Sequence, residues 1–241
     1  MNISRANPLV SAKSIYFQYP DLKNRLSAIR KFKFPQNGSY QIEGITLELY
    51  KGESLGLVGL NGSGKTTLLR LLGGIYKPTA GTLEVNGKSS TLFDSGFGLD
   101  VESNATNNIY LRGRLLGLPT SEIRDAVFSI RNFVELGDYW DMPLRTYSSG
   151  MISRLLIAMA TSFSAEILLM DEGIGTSDAK FQEKTKKRFE EMIQKSSTIV
   201  LATHNRELMQ QYCSKAILLV KGRIIQAGKT EEIWEHFQKL P

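Results

Sequence analysis

Three features of this 241-residue chain predict an α/β fold with a mainly parallel central sheet. The apolar run SLGLVG at Ser54–Gly59 leads straight into a glycine-rich turn, GLNGSGKTT at Gly59–Thr67, and on into a helix-forming stretch. Two further continuous apolar runs, EILLMD at Glu166–Asp171 and TIVLATH at Thr198–His204, have the pattern of strands covered on both faces. Between them FQEKTKKRFEEMIQK is a charged amphipathic helix, so strand and helix alternate as a parallel sheet requires.

The remaining elements follow in order. Ile15–Tyr19 reads as a short strand closed by Pro20. Ile45–Leu49 alternates apolar and polar residues, the mark of a half-buried strand. A turn at Lys51-Gly52 precedes the strand that feeds the glycine-rich turn, and the helix Thr66–Leu72 ends at Gly73-Gly74. Thr82–Val85 is a strand, and Asn86-Gly87 after it signals a hairpin. Residues 107–164 are mainly helical, in three segments punctuated by Pro119 and Pro143. KAILLVKGRIIQAG reads as a hairpin turned at Lys221-Gly222, and TEEIWEHFQ as a closing helix. The early and late hairpins add an antiparallel edge. The expected organisation is one domain over 1–241, with a helical subdomain inserted at about 100–165 and a basic interruption at about 21–40.

Composition bounds the function classes. A net charge of +6 suits solubility, an anionic membrane surface or nucleic acid, but the basic residues are not interleaved with stacking aromatics, so no nucleic acid is expected. A lone cysteine, Cys213, excludes an intrachain disulfide, and two histidines are too few for a protein-caged zinc. No apolar run reaches the ~18–20 residues of a membrane span, and MNISRANPLV lacks the apolar stretch of a signal peptide. The expected location is the cytoplasm, with any membrane work done from the surface. In residues 21–40, Lys23, Arg25, Arg30, Lys31 and Lys33 face a single acid, Asp21. That segment is either a solvated loop or a basic flap toward phosphate or lipid headgroups.

Gly59 to Thr66 matches the pattern G-x-x-x-x-G-K-[ST] fully. Its glycines, Gly59, Gly62 and Gly64, let backbone N–H groups turn toward phosphate, with Asn61, Ser63 and Thr67 completing the loop. The helix N-terminus adds a fixed positive dipole. Lys65 supplies a compact charge to the β- and γ-phosphates, and Thr66 a hydroxyl for Mg²⁺. Asp171 ends a buried strand and would hold the same metal, while Glu172 could polarise an attacking water as general base. His204 ends another such strand, where a γ-phosphate contact is expected. Ser148, Ser149 and Gly150 open a helix: they either cap it or, with its free N–H groups, seat a second anion.

The ordered set GLNGSGKTT, YSSGM at Tyr147–Met151, ILLMDE, Asp178 and LATHN resembles the ATPase subunit of ATP-binding-cassette (ABC) transporters over nearly the whole chain. The resemblance implies a phosphate-loop NTPase of ABC ATPase type, with ATP and Mg²⁺ as cofactors. It implies that YSSGM is the signature loop, whose Ser148 and Gly150 contact the γ-phosphate of ATP held by a partner copy, so that a homodimer sandwiches two nucleotides. Asp178 resembles the loop that communicates across such a dimer, and Tyr19 the aromatic that stacks on adenine. Tyr147, Ser149 and Met151 depart from the family's usual LSGGQ. The usual glutamine before the helical lobe is not evident in TLFDSGFGLD, where Asp94 is the nearest polar candidate.

These departures, together with GTSDAKF, NNIYLRGRLLG and the basic interruption, resemble the branch that exports O-antigen, capsule or teichoic acid. By that resemblance the partners are multi-span permease subunits, the cargo is a lipid-linked polysaccharide, and the subunit sits peripherally on the cytoplasmic face of the membrane. In a chain of 241 residues, the C-terminal carbohydrate-binding domain of some O-antigen members is not expected. The alternatives weighed are a soluble ABC-type ATPase acting on DNA or ribosomes, and a phosphate-loop kinase or GTPase. The first usually carries a coiled coil or two cassettes, neither evident here. The second leaves YSSGM unexplained.

Overall fold

A computed structural model describes residues 7–19, 40–92, 99–163, 165–171, 179–195 and 198–239. Its contacts divide the chain into two compact units, Met1–Asn86 with Ala202–Pro241, and Gly87–Leu201.

In the first unit, β1 (Val10–Phe17) is the middle strand of an antiparallel sheet, flanked by β2 (Ile42–Leu49) and β4 (Ala80–Val85). Val10, Ala12 and Ile15 point their side chains into the core at 0% exposure. β1 begins five residues before the strand expected at Ile15. Ser14 stands at φ 46°, and the register with both neighbours shifts beside it, so the period-2 pattern breaks in mid-strand. A second layer holds β3 (Ser54–Val58) parallel to β8 (Lys215–Val220), with β9 (Arg223–Lys229) antiparallel to β8. The β8–β9 turn uses Lys221 at φ 46° and Gly222 at φ 77°, the positive pair that a tight two-residue hairpin needs. Helix α1 (Lys65–Leu72) buries Leu68, Leu69, Leu71 and Leu72 completely.

The expected hairpin at Asn86-Gly87 does not form. Asn86 turns back onto the start of the chain: its N–H donates to the Leu9 carbonyl at 2.7 Å and its Nδ2 to the Pro8 carbonyl at 3.2 Å. β4 is thereby held on β1, while β5 (Ser89–Leu92) runs parallel to β6 (Ile167–Asp171). The dipeptide marks a change of sheet rather than a reversal within one.

In the second unit β5, β6 and β7 (Thr198–Ala202) lie side by side in that order. Its helices are α2 (Ala105–Leu115), α3 (Thr120–Val134), α4 (Ser149–Ser162) and α5 (Ala179–Lys195), with 3-10 turns at Gly137–Asp141 and Leu144–Thr146. Ile109, Ile123, Ile130, Leu155 and Trp140 form the centre of its helical core. Back in the first unit, α6 (Arg206–Tyr212) follows β7, and α7 (Thr230–Gln238) closes the chain. α6 is an element the sequence pattern did not yield. At seven residues it is too short to show periodicity, and its signal is the N-cap, where Asn205 Oδ1 accepts from Leu208 N at 3.0 Å.

Candidate functional site

The glycine-rich turn folds as a closed loop between β3 and α1. Ser63 N–H donates to the Leu60 carbonyl at 3.1 Å, and Gly222 N–H donates to the Ser63 carbonyl at 2.9 Å. Two positions admit no side chain. A Cβ on Gly59 would stand 2.4 Å from the Leu219 carbonyl oxygen. Gly64, the α1 N-cap, has φ 106°, and a Cβ there would stand 2.8 Å from the Gln41 oxygen. The Lys65 side chain is buried, and its Nζ donates to the carbonyls of Gly59 at 2.7 Å and Leu60 at 3.1 Å. The amine thus lies folded into its own loop. Asn61 and Gly62 are exposed at the loop tip, and Thr66 is half-buried in the first turn of α1. Ser63 Oγ is buried with no hydrogen-bond partner among the described residues, a cost that a ligand oxygen would relieve.

Tyr19 belongs to the same corner. Its hydroxyl shares a hydrogen bond with Thr67 Oγ1 at 3.2 Å, and the residue is 39% exposed. The structure therefore joins Tyr19 and the 59–67 loop directly. His204 is exposed two residues beyond β7, its ring 6.5 Å from that of Phe237 in α7. His236 is exposed on α7.

The second unit contains the start of α4, where the sequence allows either a plain cap or a second anion seat. Ser148 is the N-cap of α4, in extended conformation, and its Oγ accepts from Met151 N at 3.2 Å. Ser148 and Ser149 are exposed, Gly150 is half-buried, and no acid stands in the first turn of α4. The helix end combines free N–H groups with an uncompensated dipole, the arrangement that binds phosphate. The flanking residues face inward instead: Tyr147 and Met151 pack against the helical core. Tyr147 donates to the Trp140 carbonyl at 3.5 Å, and burial, helped by the nearby Asp141 charge, raises its pKa. Two of the three departures from LSGGQ are thus packing residues, and only Ser149 is on the exposed side.

Asp171 ends β6, half-buried. Glu172, Asp178 and Asp94 lie outside the described residues, as do residues 21–39 of the basic segment. A residue the sequence reading passed over is Asn108. Only 2% exposed, it accepts from Asp100 N at 2.8 Å and donates to the carbonyls of Asp100 and Asn104, both at 2.9 Å. It pins the stretch that leads from TLFDSGFGLD into α2. Nothing in NNIYLRGRLLG distinguishes it from a surface asparagine.

The residues fit a nucleoside triphosphate with Mg²⁺. The loop offers backbone N–H groups, a buried ammonium and an unsatisfied hydroxyl. Thr66 in the first unit and Asp171 in the second each carry an oxygen donor of the hard kind that Mg²⁺ prefers.

The chain is similar to known proteins. A family model described as ABC transporter matches residues 42–175. The O-antigen export system ATP-binding protein RfbE of Yersinia enterocolitica is 43% identical over 185 residues, 77% of each chain. RfbB of Myxococcus xanthus, which carries the same description, is 38% identical over 82% of this chain, and the match spans only 45% of that relative. The teichoic acids export ATP-binding protein TagH of Shouchella clausii is 30% identical over 96% of this chain and 66% of its own length. Among solved structures, the dimeric bacterial ABC transporter cassette MJ0796 superposes with a TM-score of 0.70 at 22% identity, covering 92% of this chain and 98% of that one.

Proposed function

This chain belongs to the ABC transporter family, and from that premise we propose that it is the ATP-hydrolysing subunit of an exporter of lipid-linked polysaccharide, with O-antigen the leading cargo. The observation that carries the reading is that one chain holds both a phosphate loop at 59–67 before α1 and a capped, acid-free helix start at Ser148, which we read as a second phosphate seat. One nucleotide needs one loop of the first kind, so the second seat serves the nucleotide of a second copy. The glycan rests on the names of the relatives, and teichoic acid is the second reading because TagH matches over nearly the whole chain.

The roles follow from the side chains. Tyr19 stacks on the base. The N–H groups of Gly62–Thr67 and the Lys65 ammonium hold the phosphates, Lys65 exchanging its carbonyl partners for phosphate oxygens of greater charge. Thr66 and Asp171 would hold Mg²⁺, which would supply positive charge to offset that of the phosphates. Glu172 takes the proton of the attacking water, and His204 donates to the γ-phosphate. Ser148, Ser149 and Gly150 of the partner copy close over that phosphate, and Asp178 links the two sites. ATP binds the closed dimer more tightly than the open one, and that difference is the work available to separate membrane-spanning permease subunits. Among the described residues no helix is long and apolar enough to cross a membrane. The place proposed for the subunit, peripheral on the cytoplasmic face, rests on the export systems its relatives are named for.

The test is export itself. In the native host, Glu172→Gln should abolish surface polysaccharide while lipid-linked glycan accumulates in the cytoplasmic leaflet. Undiminished surface glycan would contradict the proposal.

A further inference from the structure

The aromatic corner around Tyr19 contains more than the base-stacking ring. Phe17 and Tyr76 lie parallel, 5.0 Å apart with an 8° interplanar angle. Tyr19 stands edge-on to both, 5.1 Å from Phe17 at 83° and 5.6 Å from Tyr76 at 88°. These are the offset-stacked and T-shaped geometries that ring quadrupoles favour. Tyr76 is itself held from α1: Arg70 Nη1 donates to its hydroxyl at 3.4 Å, and the guanidinium carbon lies 5.7 Å from its ring centroid. The fourth tie is the bond from the Tyr19 hydroxyl to Thr67, also on α1.

An exposed tyrosine just beyond the end of a strand would normally sample several rotamers, and a base stacking on it would bear the cost of ordering it. Here the ring meets two aromatics at near right angles and is held at its tip by a hydroxyl of the phosphate-loop helix. We propose that Tyr76 is a positioning residue for nucleotide recognition: anchored by Arg70 and stacked on Phe17, it holds Tyr19 in place as a preformed platform for the base. Tyr76 touches no phosphate in this scheme and acts only through Tyr19. The inference rests on the reading of Tyr19 as the base-stacking residue.

Calorimetric titration of the full chain with two probes, ATP and inorganic tripolyphosphate, tests it, because only ATP uses the platform. Tyr76→Ala should weaken ATP binding about three- to tenfold, the size of an aromatic pair, and leave tripolyphosphate unchanged. Tyr76→Phe, which keeps the stack, should recover most of the ATP affinity. Equal weakening of both probes would mean that Tyr76 merely supports the fold, and would overturn the proposal. ATP affinity unchanged in Tyr76→Ala but reduced in Tyr19→Ala would overturn it while sparing the platform. Unchanged ATP affinity in Tyr19→Ala would remove the platform and the proposal together. Should Tyr76→Ala not fold, Tyr76→Leu retains apolar bulk without a ring and carries the same comparison.

Discussion

The guanidinium carbon of Arg154 lies 5.0 Å from the centroid of the Phe181 ring, joining α4, the helix that Ser148 caps, to α5. Phe181 in turn meets Phe133 of α3 at 5.0 Å, and Phe133 lies under Arg188 of α5 at 4.4 Å. Arg188 Nη2 then reaches Ser162, the last residue of α4, at 2.6 Å, and Ser129 of α3 at 3.3 Å. α4 is therefore tied to α5 at its middle, through Arg154, and at its last residue, through Ser162. The Ser148 cap sits at the head of a braced helix, which suits the partner-facing role proposed for it.

Removing the centre of this brace should be costly. Phe181 is 4% exposed, so Phe181→Ala should destabilise the second unit by about 3–5 kcal/mol. Arg154→Met, which keeps the aliphatic stem, should cost about 0.5–2 kcal/mol. Chemical denaturation checks both, and equal losses in the two variants would contradict the arrangement.

Ser148 separates capping from anion binding. Asp is as good an N-cap as Ser, so Ser148→Asp should leave thermal stability within about 0.5 kcal/mol. It also places a carboxylate where a partner's phosphate is expected, so ATPase turnover should fall at least tenfold, one aspartate repelling the γ-phosphate by about 1.4 kcal/mol or more. Ser148→Ala should do the reverse, losing about 1 kcal/mol of stability with a smaller loss of turnover. Full turnover in Ser148→Asp would reduce the residue to a cap.

Burial pushes the Cys213 thiol up to about 12, from an ordinary value near 9. Between those values the folded state keeps a proton that the unfolded state has lost. The stabilising contribution is complete below about pH 9 and declines as pH rises, at up to about 1.4 kcal/mol per pH unit. Cys213→Ala should therefore show a shallower alkaline loss of stability than the parent chain. Native Cys213 should also resist thiol reagents at pH 8. Rapid labelling without unfolding would contradict its burial.

The basic segment around residues 21–40 offers a separate test. Reversing Arg25, Arg30 and Lys31 to Glu should impair export while sparing ATPase activity, since each charge is worth ~1 kcal/mol near an anionic surface. Normal export in that variant would return the segment to a solvated loop.

Much of the site was legible because its chemistry is local. The loop at Gly59–Thr67 needs glycines, an ammonium and a hydroxyl in one unbroken stretch, and the buried strands carry their pattern within five residues. What stayed hidden depends on partners distant in the chain. Asn86-Gly87 signalled a turn, but not that Asn86 would bond to Pro8 and Leu9 and leave β5 to pair with β6. The bulge at Ser14 hid the first half of β1 because the alternation changes phase there. Met151 reads as an anomaly in YSSGM until its packing on the helical core is seen. Tyr76 carries no motif at all, and only the ring geometry around Tyr19 marks it.

In the proposed dimer each ATP site is shared between two copies, Lys65 from one and Ser148 from the other. Sedimentation of Glu172→Gln with ATP and Mg²⁺ tests it most directly. The 26.9 kDa chain should sediment at about twice its mass with ATP, return to a monomer when nucleotide is removed, and stay a monomer when Ser148→Arg is added. A species that remains monomeric with saturating ATP, or a dimer indifferent to Ser148→Arg, would contradict the shared site.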